Sequence, residues 1–315
     1  MVLRDRGRRG PGREGVRIMT EGFGLRSLHP IVILTYYAGG ITFGMLLFHP
    51  YILLAGWVAA VIVNLHLDGG REWRRWSLAM LVGILLIAIM NPILSHRGRT
   101  VWFYWGDIPI TMESVVYGLT LAMSMLNLLT FFVTYRLVMT EQKFLFLFSR
   151  VSPKAALVAM MAMGLVPRLR RRMQELMLIQ RTRGVTVAEG SLARRARNGT
   201  RLVGTLLSWT LEDALQTADS MQARGYGTGA RSSYLGFKFR GRDGATIAGF
   251  TVCAALLLTA WANGHGFMAI YPRLGTFSLS WGDGLALAAY IAFLILPLGW
   301  EWRDRRAWLI TNYSE

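Results

Sequence analysis

Gln180-Arg181-Thr182-Arg183-Gly184 and Met221-Gln222-Ala223-Arg224-Gly225 close two segments of one polar block, residues 167–229, in nearly the same way. Each reads as a helix with an Arg in its last turn and a Gly stop. Gly takes up the left-handed backbone that ends a helix, and a cation suits the negative helix end. Either ending alone is what any good helix terminus needs. Two of them, with Arg183 and Arg224 41 residues apart and long apolar runs on both sides of the block, point to a polar helical module hung from a membrane domain.

The rest of the chain supports that placement. Of 315 residues, 53% are hydrophobic and only 17% charged, with a mean hydropathy of +0.36. The charges are gathered in blocks that leave long neutral runs, the composition of an integral membrane protein. The net charge is +17, from 35 Lys and Arg against 18 Asp and Glu. In a soluble protein such an excess suggests nucleic acid. Here cationic loops held on one side of a membrane give the same excess with no nucleic-acid partner. The single cysteine, Cys253, excludes an intrachain disulfide and a Cys-based zinc site, and the five His show no pair at helical ligand spacing.

Six apolar stretches are expected to span: 31–48, 51–67, 77–94, 114–135, 246–262 and 285–300. His49-Pro50 divides the first two into a tight hairpin. The stretch 155–166 has about 12 residues, too few to cross. The expected layout is a basic arm at 1–28, spans one to four within 29–135, a polar module at 136–245, spans five and six within 246–300, and a charged tail at 301–315. With the N-terminus in the cytoplasm, the inner segments hold 32 of the 35 Lys and Arg. The outer loops hold three: Arg97, Arg99 and Arg273. The positive-inside rule therefore puts both termini and the polar block in the cytoplasm of a multi-pass cell-membrane protein. The outer loop 95–113, with Trp102, Phe103, Tyr104 and Trp105, suits the headgroup belt.

Within the module 136–245, Ser152-Pro153 starts a helix expected to end near Leu165, and Pro167 opens a second one running to Arg183. Leu169, Met173, Leu176 and Met177 give the second helix an apolar stripe. Its run Arg168–Arg172 suits water or anionic headgroups. Residues 184–200 read as a linker. A third helix, about 201–224, carries Val203, Leu207, Thr210, Ala214, Thr217, Ala218 and Met221 near one face. Asn64, His66, Asn91 and Asn127, in or near the spans, read as helix-packing groups.

These features resemble the transmembrane T component of energy-coupling factor (ECF) transporters, the EcfT/CbiQ type. The residues that carry the resemblance are 180–184 and Ala218-Asp219-Ser220-Met221-Gln222-Ala223-Arg224-Gly225-Tyr226-Gly227, with Pro167 and Arg231-Ser232-Ser233-Tyr234 beside them. The family carries an Ala-Arg-Gly-type motif at the end of each of two crossing coupling helices. The second motif matches fully; the first has Thr182 where Ala is usual but keeps Arg183 and Gly184. The resemblance implies an all-α membrane protein of about six spans with a cytoplasmic module of crossed amphipathic helices. It implies that Arg183, Gly184, Ala223, Arg224 and Gly225 engage two ABC-type ATPase subunits. It further implies a separate substrate-binding membrane S component for a vitamin or a transition-metal ion. ATP and Mg would be bound by the ATPases, and no cofactor by this chain. In agreement, no Gly-x-x-x-x-Gly-Lys-Ser/Thr phosphate loop is present.

Two other classes fit the sequence less well. A membrane enzyme acting on a lipid or polyprenyl substrate would use Asp68, Glu72, Asp107, Glu113 and Asp283, but these form no paired Asp-rich motif and no nucleophile constellation accompanies them. A nucleic-acid adaptor would use 1–17 or 194–201, which lack interleaved aromatics.

Overall fold

The structure, a computed structural model, describes residues 24–95, 98, 100–105, 108–182, 191–229, 237–271, 275 and 280–312. Its helices are α1 (Pro30–Leu46), α2 (Pro50–Asp68), α3 (Arg71–Leu94), α4 (Met112–Val138), α5 (Glu141–Val151), α6 (Pro153–Thr182), α7 (Leu192–Ala223), α8 (Gly241–Ala262) and α9 (Trp281–Asn312). Strands β1 (Val101–Trp105) and β2 (Ile108–Thr111) form an antiparallel hairpin between α3 and α4. The chain divides into two compact units, Met1–Lys143 with Phe237–Glu315, and Phe144–Gly236.

Among the described residues of the first unit, five helices are long and apolar enough to cross a membrane: α2, α3, α4, α8 and the Trp281–Trp300 part of α9. α1 is apolar but only 17 residues long. At 1.5 Å per residue it reaches about 25 Å, short of the roughly 30 Å hydrocarbon thickness. It stops at Leu46, before the expected Phe48, because Pro50 pushes the residue before it into extended backbone; His49 has φ −130° and ψ 127°.

Three expected loops are more ordered than their composition suggests. The charged loop 68–76 is reduced to Gly69 and Gly70, both at positive φ, which turn the chain so sharply that α3 begins at Arg71. The aromatic loop holds the hairpin, with Trp102 and Tyr104 about two-thirds exposed. The tail expected at 301–315 continues α9 to Asn312.

Glycines and aromatics interlock at the centre of this unit. Tyr36, Phe250 and Phe293 form one cluster, with ring centroids 4.7–6.0 Å apart. Gly39 and Gly40 of α1 lie against Phe293 and Phe131, and a Cβ on Gly44 would reach the Tyr290 hydroxyl at 2.9 Å. Tyr290, fully buried, donates to the Gly40 carbonyl at 3.2 Å. Such close approaches are how helices associate in lipid, where apolar burial alone gives no drive.

The turn Gly24–Ser27 ties three helix ends together. Arg26 donates to the Leu67 carbonyl of α2 at 3.2 Å. Lys143 donates to the carbonyls of Arg26 (2.7 Å) and Val138 (3.1 Å). At the start of α8, Arg242 donates to Ser27 O and Oγ, and Asp243 accepts from the backbone N–H of His29 and of Arg240. Burial, and then the Arg26 guanidinium nearby, hold the Lys143 ammonium down to a pKa of about 8.

Candidate functional site

The second unit is built from α6 and α7, which pack on each other. α6 is one continuous helix of 30 residues, not the two expected on either side of Pro167. Pro167 has no N–H for the Met163 carbonyl. Beside that gap, Arg168 Nε donates to the Gly164 carbonyl at 3.2 Å. Good helix formers on both sides carry the helix through. α7 begins at Leu192, nine residues before the expected 201, because Leu192-Ala193-Arg194-Arg195-Ala196-Arg197 is itself helix-favouring.

The packed face of α7 is also rotated from the expected one. Leu202 and Leu206 line it, and Trp209 lies under the Arg172 guanidinium of α6, 4.4 Å from ring centroid to cation. One turn further, Asp213 pairs with Arg168 at 3.5 Å. Leu169, Met173 and Leu176 are half-buried on α6, as their spacing predicts, while Met177 is exposed. The arginine run thus joins α6 to α7 as well as facing solvent. Val203 and Leu207, expected on the packed face, are instead exposed. With Leu211 and Leu215 they form a stripe at every fourth residue, each 54–67% exposed.

The second motif has a defined geometry. Ala223 is the last residue of α7 and Arg224 is its C-cap. Gly225 has φ +79°, its N–H donating to Gln222 O at 2.9 Å, and the Tyr226 N–H donates to Met221 O at 3.0 Å. These two bonds define a Schellman closure, which requires the left-handed residue that Gly supplies. Thr228 closes the following turn through both its N–H and its hydroxyl, each donating to Gly225 O. The cap holds the backbone and leaves the Arg224 side chain exposed, with no ion pair among the described residues. Such an arginine offers a planar fork of donors. Of the first motif, Arg181 and Thr182 end α6, with Thr182 Oγ1 donating to Ile179 O at 2.7 Å. Arg183 and Gly184 lie outside the described residues, as do Arg231, Ser232, Ser233 and Tyr234.

Three of the five carboxylates of the enzyme reading are tied to backbone, and Glu72 lies 3.9 Å from the Arg75 guanidinium. Asp68 accepts from the Glu72 N–H. Glu113, 1% exposed, accepts from the Thr100 N–H and hydroxyl. Asp283 accepts from the N–H groups of Gly266 and Ser280. Asp107 lies outside the described residues. Among the described residues no group of three or more His, Cys, Asp or Glu stands together to hold a metal ion.

These features define a multi-pass helical membrane protein with a polar helical unit inserted in sequence between two of its spans. The profile of the cobalt transport protein family, CbiQ, matches residues 31–234, well over half of the chain. The chain therefore belongs to the EcfT/CbiQ family. The energy-coupling factor transporter transmembrane protein EcfT of Lacticaseibacillus paracasei is 28% identical over 216 residues, covering 64% of this chain and 78% of the relative. The EcfT proteins of Acidaminococcus fermentans and Brevibacillus brevis are 25% and 27% identical, each over 56% of this chain and covering 69% and 71% of their own lengths.

Proposed function

We propose that this chain is the coupling subunit of an ATP-driven ECF-type importer. Arg183 and Arg224, each beside its glycine, dock on two ABC-type ATPase subunits, one arginine per subunit. ATP, with Mg, is bound and hydrolysed in those partners. Their closure moves the ends of α6 and α7, and the crossing at Arg172–Trp209 and Arg168–Asp213 carries the motion along the pair. The exposed stripe Val203, Leu207, Leu211 and Leu215 suits an apolar partner, and a membrane-embedded S component that binds the vitamin or transition-metal cargo is the occupant this reading assigns. Both termini lie in the cytoplasm of a cell-membrane protein.

The observation that carries the reading is the capped end of α7. A Schellman closure fixes the backbone while the cation beside it has no ion-pair partner among the described residues. The glycine suffices to stop the helix, and the helix end rewards a cation by only about 0.3–1 kcal/mol, which leaves the exposed guanidinium fork open to a carboxylate or carbonyl of a partner.

The test is affinity purification of the tagged chain from its native membrane in mild detergent. The expected result is stoichiometric recovery of two cassette ATPases and one small multi-span membrane protein. A chain that purifies alone and turns over a lipid or polyprenyl substrate by itself would overturn the proposal in favour of the enzyme.

A further inference from the structure

Where α2 and α9 run side by side in the membrane unit, a cavity of about 540 Å³ opens between them. Ile62, Ile295 and Leu298 form its apolar walls, with Ile62 and Ile295 more than 40% exposed. Gly299 forms part of the lining, and an added Cβ there would meet nothing within 4 Å. At one end the lining changes character to His66, Trp302 and Arg303. The Arg303 guanidinium is held over the Trp300 ring, 4.9 Å from its centroid. Among the described residues no carboxylate lines the cavity.

Two independent markers put that polar end at headgroup depth. The spanning part of α9 ends at Trp300, three residues before Arg303, and α2 ends at Asp68, two residues after His66. An apolar slot that passes at the membrane boundary into an arginine, a histidine and a tryptophan matches one amphiphile. It matches the acyl chain of a membrane lipid below and an anionic phosphate above. Arg offers the phosphate a planar fork of donors, and Trp302, 55% exposed, is the residue type that settles at this depth. A partner helix is a poorer occupant. With side chains it is about 10–12 Å across, and it would lie over this slot rather than enter it.

We propose that this cavity is a binding site for one anionic phospholipid of the surrounding leaflet, its acyl chain between Ile62 and Leu298 and its phosphate on Arg303. His66, expected from the sequence to be helix-packing glue, lines this cavity instead.

The test uses the full-length chain in detergent, titrated with phosphatidylglycerol or with phosphatidylcholine of the same acyl chains and read by native mass spectrometry. The wild type is expected to retain phosphatidylglycerol preferentially. Arg303→Gln should lower that preference by about fivefold, the worth of one interfacial charge. Gly299→Leu should remove the bound lipid of both kinds by filling the slot, with an unchanged or raised melting temperature in lipid-free detergent, since nothing stands where its side chain begins. Equal lipid retention in the wild type and both variants would overturn the proposal. So would a Gly299→Leu variant that keeps its phosphatidylglycerol but no longer co-purifies with a protein partner, which would make the slot a protein interface.

Discussion

Gly56→Ala is the sharpest test of how the membrane unit is held together. A Cβ at Gly56 of α2 would fall well inside 3.0 Å of Tyr290 Cε1 and 3.1 Å from Asn127 Nδ2. Carbon atoms rest about 3.5–4.0 Å apart, so the ring would have to retreat by about 1 Å. Tyr290 has nowhere to go. It is fully buried, its hydroxyl is bonded to Gly40 O, and Gly44 lies close against that hydroxyl. Overpacking of this kind costs about 2 kcal/mol, a fall of about 3 °C in melting temperature for a chain of this size. Gly83→Ala on α3 is the matched control. Nothing lies within 4 Å of a Cβ there, so replacing a mid-helix glycine should be neutral or stabilise by about 0.5–1 kcal/mol. The assay is tryptophan-fluorescence thermal unfolding of the detergent-purified protein at one scan rate. Equal melting temperatures for the two variants would refute the packing argument.

Two further outcomes are expected. Trp209→Ala should raise the rate of trypsin cleavage in the Arg168–Arg172 run by about two- to fivefold, the loss of one cation–π contact of about 0.5–1 kcal/mol; Leu211→Ala, on the exposed face, should leave it unchanged, and equal rates would show that the crossing is not held there. Lys143 releases its proton near pH 8 in the folded protein against an ordinary value of 10.5. The unfolded state therefore holds the extra proton between these values, and the lysine's contribution to stability rises with pH across that window; the wild type should gain in melting temperature on Lys143→Met from pH 8 to pH 10, and a constant difference would contradict the assignment.

How far the sequence could be read depended on whether the deciding interaction was local. Arg224-Gly225 was legible because a Schellman closure is written in adjacent residues. Apolar runs located the spans for the same reason. Pro167 misled: its cost to a helix is local and real, but the strong helix formers around it outweigh that cost. The packed face of α7 could not be read from spacing, since 202-206-209 and 203-207-210 are both helical rows. What decides between them is Trp209 meeting Arg172 and Asp213 meeting Arg168, contacts with a different helix. The Gly24–Ser27 turn was also missed. Its bonds run to residues 41 to 215 positions away, and backbone carbonyls accept most of them, leaving no signature in the residue types.

The most direct measurement is substrate uptake and ATP hydrolysis by the reconstituted transporter carrying Arg183→Glu and Arg224→Glu. The expected result is normal membrane insertion of the double variant with uptake reduced to near background and no longer driven by ATP. Uptake at the wild-type rate, with hydrolysis still coupled to it, would contradict the assignment of these two arginines as the contacts through which the ATPases move the membrane unit.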